Sequence, residues 1–132
     1  MKFINIRGCN GSGKTTLLRS LARDPGCFVV EASVPDHNLI PITYTPNGWA
    51  IIGDYTPASD GCVTAGLDRI KTQAAAKAVI EFAGSNSALD AVLFEGIVVS
   101  TIYGPWHEWS KANGGMIWAF LDTPLDVCLK RI

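Results

Sequence analysis

The residues with the plainest chemical purpose lie in "RGCNGSGKTT", residues 7–16. Gly8, Gly11 and Gly13 fall within six positions, and Lys14, Thr15 and Thr16 follow at once. The spacing Gly8-x-x-x-x-Gly13-Lys14-Thr15 is that of a phosphate-binding loop, the Walker A pattern. Glycines reach backbone angles closed to other residues, so successive N–H groups can converge on one anion. A helix starting near Lys14 adds the positive end of its dipole. Lys14 then offers a point charge to the β and γ phosphates, and the Thr15 hydroxyl can ligate magnesium. The nucleotide-binding set is therefore Gly8, Cys9, Asn10, Gly11, Ser12, Gly13, Lys14, Thr15 and Thr16.

Further chemistry is sought among acidic residues at strand ends, because ligands of open parallel sheets bind beyond the carboxyl ends of the strands. Glu95 closes the apolar run "AVLFEG", as Walker B segments close on one acid. It is a candidate to hold magnesium through water or to polarise an acceptor, against the reading of an ordinary carboxylate at a strand end. Asp54 closes "AIIGDY" and is either a base for an attacking hydroxyl or a turn aspartate. Asp68, Arg69 and Lys71 open a helical stretch, where they either touch acceptor or form a solvated face. Asp60 reads as a turn residue and Asp122 as support for a helix start. Trp106, His107 and Trp109 could stack on a base, although large aromatics beside a Gly-Pro break more often pack a core.

The elements that must position these groups alternate strand and helix, the pattern of a parallel sheet covered by helices. Residues 2–7 form the first strand and 14–23 the first helix, with Leu17, Leu18 and Leu21 on one face. "CFVVEA" is the second strand. "IPITYTPNGWAIIGDY" reads as a hairpin around Pro46-Asn47-Gly48, inserted beside the sheet. After a polar loop, apolar spacing predicts a helix over 67–83. "DAVLFEG" and "MIWAFLDTP" are the next parallel strands, and right-handed crossover favours a helix in the ambiguous stretch between them. Thr123-Pro124-Leu125-Asp126 reads as a helix start, with threonine as cap and proline first. Helical spacing then persists to Ile132, so a shortened product is expected.

With 132 residues the chain is the size of one domain. Apolar residues make up 48% and charged residues 17%, and the net charge of −1 gives no electrostatic argument for nucleic acid or membrane. Cys9, Cys27, Cys62 and Cys128 are scattered and read as reduced thiols. No run approaches a membrane span and no signal peptide is visible, so a soluble, cytoplasmic protein is expected. An N-K-x-D guanine motif and a dinucleotide fingerprint are both missing from the sequence.

"GCNGSGKTTL", "VLFEG" and "FLDTPLDVCLKRI" together resemble the P-loop nucleoside and nucleotide kinase superfamily. "VLFEGIVVSTIYG" with "GDY…GC…GLD" looks more closely like bacteriophage kinases, among them enzymes that phosphorylate 5-hydroxymethyluracil in phage DNA. The resemblance implies an α/β P-loop NTPase three-layer sandwich, with a mainly parallel sheet and an inserted β-hairpin. Residues 1–132 would be a single P-loop kinase-like domain lacking the lid and last strand. It also implies ATP and Mg2+ as cofactors, with Thr15 and Glu95 at the metal and Lys14, Asp54 and Glu95 as the catalytic group. The expected activity is transfer of the γ-phosphoryl group to a hydroxyl, favoured as 5-hydroxymethyluracil in DNA. A nucleoside monophosphate kinase and a nucleotide-binding module without turnover are the alternatives. If phage-encoded, the protein works in the host cytoplasm.

Overall fold

The computed structural model describes residues 1–8, 12–34, 39–55, 70, 72–96 and 103–130. Its strands are β1 (Lys2–Arg7), β2 (Phe28–Ala32), β3 (Ile40–Tyr44), β4 (Trp49–Ile52), β5 (Ala91–Phe94) and β6 (Met116–Phe120). They form one six-stranded sheet in the order β2-β3-β4-β5-β1-β6. β1 pairs in parallel with β5 and β6, and β4 in parallel with β5, whereas β3 is antiparallel to both β2 and β4. Among the described strands only β3 therefore runs against the rest. The carboxyl ends of β4, β5, β1 and β6 share one edge of the sheet.

This corrects the expectation that the hairpin sits beside the sheet. β4 takes a central place next to β5, because its Ala50, Ile51 and Ile52 are all buried and a strand covered on both faces belongs inside. The turn at Pro46 and Asn47 closes as expected, with Gly48 at φ 84.

Among the described residues four helices cover the sheet: α1 (Lys14–Leu21), α2 (Gln73–Gly84), α3 (Gly104–Ala112) and α4 (Leu125–Lys130). α1 packs Leu18 with Ile6, Ile51, Tyr55 and Leu93 on one face. α2 and α3 bury the opposite face, where Ala76, Val79, Ile80 and Trp106 meet Phe3, Val92 and Phe94. Alternation along β1 explains the split: Ile4 and Ile6 face α1, while Phe3, Asn5 and Arg7 face the other side. Trp106 and Trp109 are core residues here, Trp109 edge-on to Phe3 at 5.0 Å and Trp106 5.9 Å from Phe94.

Two helix boundaries differ from expectation. α2 begins at Gln73, because Thr72 is extended (φ −127) and its side chain accepts from the Ala75 N–H as an N-cap. Ile70 reaches the same core from a non-helical backbone, which made its spacing look helical. At the other boundary Thr123 does not cap α4: its hydroxyl donates to the Ser12 carbonyl at 2.7 Å, tying this end to the phosphate loop. Pro124 instead supplies the first helical acceptor, to Cys128 N–H. Pro105 lies in the first turn of α3, where its missing N–H costs no helical bond. No helix among the described residues is long and apolar enough to cross a membrane.

Candidate active site

The phosphate loop connects the carboxyl end of β1 to α1, and its glycines do different work. A side chain on Gly8 would collide with Ser12 Oγ, so Ser12 would have to move to admit one. Gly13 takes φ 101, a left-handed angle that glycine adopts without strain, and it turns the chain into α1. Lys14 Nζ donates to the Gly8 carbonyl at 2.7 Å, so the cation lies back across the loop. Ser12 Oγ is buried and has no hydrogen-bond partner among the described residues. Such an orphaned hydroxyl is costly unless something else engages it.

Glu95 follows β5 and, by strand alternation, shares the α1 face with Leu93. It is only 2% exposed. One carboxylate oxygen, Oε1, accepts from Thr15 Oγ1 at 3.2 Å and from the Tyr55 hydroxyl at 2.8 Å. The two residues expected at a metal thus meet directly. Tyr55 is a site residue that sequence reasoning passed over; its place directly after Asp54 was the available signal.

Asp54 is half-buried just beyond β4, and the backbone around it is fixed from β3. Gly53 N–H donates to the Pro41 carbonyl at 2.8 Å. The Thr43 hydroxyl donates to the Gly53 carbonyl at 2.7 Å and accepts from Tyr55 N–H at 3.2 Å. Buried Thr43 therefore holds the backbone on both flanks of Asp54, just past the carboxyl end of β4.

On the opposite face Arg7 is 7% exposed at the end of β1. Its guanidinium lies 4.5 Å from the Trp118 ring centroid and 6.0 Å from that of Tyr103. Burial lowers the Arg7 pKa from its ordinary value, with Tyr103 opposing the shift. Beneath it Asn5 is fully buried, and neither polar atom of its amide has a hydrogen-bond partner among the described residues. Neither residue was singled out from sequence, since a polar residue alternating through a strand usually marks a solvated face. Cys9, Asn10 and Gly11, and the acceptor candidates Asp68, Arg69 and Lys71, lie outside the described residues.

The profile of the 5-hmdU DNA kinase family matches residues 2–132. The chain is 76% identical over 132 residues to the 5-hmdU DNA kinase of Pseudomonas phage M6, covering all of this chain and 71% of that protein. It is 30% identical over 142 residues to the 5-hmdU DNA kinase of Pseudomonas phage PaMx11, covering 99% of this chain and 67% of that protein. The protein of that name from Bacillus phage SP10 is 29% identical over 138 residues, 98% of this chain but 20% of the phage protein. No solved structure matches the chain at a significant level. Matched along its length by the family profile and by a 76% identical relative, the chain belongs to the 5-hmdU DNA kinase family.

Proposed function

We propose that this chain transfers the γ-phosphoryl group of ATP to the hydroxymethyl oxygen of 5-hydroxymethyluracil in DNA. The observation that carries this reading is the Thr15–Glu95–Tyr55 hydrogen-bond set, which seats a buried carboxylate against the phosphate loop. Membership of the family directs the reading to this acceptor.

The residues present fit a nucleoside triphosphate and its metal. A Cβ at Gly8 would strike the Ser12 side chain, and Gly13 is turned so that the chain leads into the α1 N-terminus. The buried Ser12 hydroxyl is available to a phosphate oxygen. Thr15 and Glu95 would hold Mg2+, Glu95 directly or through water. When bound, the ion offsets charge on the β and γ phosphates and adds Lewis-acid polarisation of the transferred group.

Lys14 supplies a point charge to the β and γ phosphates. Asp54 accepts the proton of the hydroxymethyl group as its oxygen forms a bond to the γ phosphorus. The bond from that phosphorus to the bridging oxygen breaks, and ADP leaves with the electron pair. Tyr55 keeps Glu95 in one orientation, and Thr43 holds the backbone on both flanks of Asp54. Positioning and electrostatics account for most of the rate in such a transfer.

The test is incubation with γ-labelled ATP, Mg2+ and three acceptors: DNA containing 5-hydroxymethyluracil, matched thymine DNA, and a panel of nucleoside monophosphates. Label is expected in the modified DNA alone. Label on monophosphates alone overturns the acceptor, and nucleotide binding without transfer to any of them overturns the kinase reading.

A further inference from the structure

A base acted on within DNA must leave its stack, and the protein that takes it has to replace the lost stacking. The net charge of −1 leaves little general attraction for phosphates, so contacts to bases have to carry more of the recognition. Exposed aromatic side chains are therefore the groups to examine, and their position sorts them. Phe28 is 57% exposed and stacks with Tyr44 at 5.4 Å, but it starts β2 and so lies at the amino edge of the sheet, away from the loop.

Tyr103 and Phe120 lie at the carboxyl edge. Tyr103 precedes α3 and is 55% exposed, yet its ring is held: it stacks with His107 at 5.5 Å and 15°, and lies 5.0 Å from Trp118. Phe120 is 67% exposed, two residues beyond Trp118 and hence on the same face of β6. Arg7 pairs in register with Phe120 and carries its guanidinium to within 6.0 Å of the Tyr103 ring. The next residue is Gly8, whose carbonyl holds Lys14. Two exposed aromatic residues thus neighbour Arg7, Tyr103 through its ring and Phe120 through strand register, and Arg7 directly precedes the loop residue Gly8. A fixed ring loses little freedom on binding, which suits it to stacking rather than to collapse into the core.

Resting on the DNA kinase reading, we infer that Tyr103 and Phe120 form a stacking platform for bases of the DNA strand that carries the acceptor. Arg7 lies beside the Tyr103 ring as a cation that reinforces stacked rings. Trp118 and His107 hold the Tyr103 ring in place.

The test is fluorescence anisotropy of a labelled single-stranded oligonucleotide containing one 5-hydroxymethyluracil, with ATP affinity measured in parallel by calorimetry. Tyr103→Ala and Phe120→Ala are each expected to weaken oligonucleotide binding roughly tenfold. Tyr103→Phe should bind like the unaltered protein, and ATP affinity should be unchanged in all three. Equal oligonucleotide affinity for Tyr103→Ala and the unaltered protein overturns the inference, as does an unaltered protein that fails to bind the oligonucleotide. Parallel loss of ATP affinity in Tyr103→Ala also overturns it, because the ring would then serve the phosphate loop. Stacking-dependent binding without phosphorylated product would uphold the platform and reject the kinase reading instead.

Discussion

Replacing Tyr55 with phenylalanine removes one oxygen from the centre of the site and little else. The ring is 1% exposed and packs with Leu18, Ile51 and Leu93, so phenylalanine fills the same space. What disappears is the 2.8 Å hydrogen bond to Glu95 Oε1, which then keeps its 3.2 Å bond from Thr15. A hydrogen bond to a charged group contributes about 1.5–3 kcal/mol. Unfolding entropy of about 2.1 cal/mol/K per residue gives about 0.28 kcal/mol/K for a chain of 132 residues. The expected fall in Tm is therefore roughly 5–11 °C, read by calorimetry without nucleotide. With Glu95 less firmly held, the Mg2+ concentration for half-maximal turnover should rise while ATP affinity without metal stays the same. A Tm within a degree of the unaltered protein, together with an unchanged Mg2+ requirement, would refute the claim that Tyr55 orients the acid.

Lys14→Ala should weaken ATP binding strongly in calorimetry while barely moving the apo Tm, because the hydrogen bond it gives up to Gly8 is only partly buried. Asp54→Asn should spare ATP affinity and lower turnover by roughly a hundredfold or more, measured under saturating acceptor. Thr43→Val should cost about 2–6 kcal/mol in denaturant unfolding, since it strands two buried backbone groups, the Gly53 carbonyl and the Tyr55 N–H. It should also lower turnover without changing ATP affinity, and normal turnover in a folded Thr43→Val would show that β3 does not position Asp54.

The strand-to-helix turn at Gly13 and Lys14 was legible in the sequence because its signals are local: glycine spacing followed at once by helix-forming residues. β1, β5 and β6 were legible for a similar reason, as short apolar runs that close on polar residues. The place of β4 was not, since strand order is decided by which faces are covered, and a four-residue apolar run reads alike at an edge or at the centre. The start of α2 was hidden by Ile70, whose apolar side chain serves the core without a helical backbone. Thr123 matched a cap by type and spacing, but the phosphate loop competes for its hydroxyl across 111 residues of sequence. Tyr55, Asn5 and Arg7 escaped notice because their roles depend on contacts between elements. The Thr15–Glu95 contact was implied by the motifs, whereas the third partner on the same oxygen was not.

The central claim is that the carboxyl edge of this sheet moves a phosphoryl group onto the hydroxymethyl oxygen of a base in DNA. The most direct measurement is mass spectrometry of nucleosides digested from 5-hydroxymethyluracil DNA after incubation with ATP, Mg2+ and either the unaltered protein or Asp54→Asn. The account predicts 5-phosphomethyl-deoxyuridine from the unaltered protein and roughly a hundredth as much, or less, from the variant. Unmodified 5-hydroxymethyl-deoxyuridine from the unaltered protein, or equal phosphorylation by the variant, would contradict it.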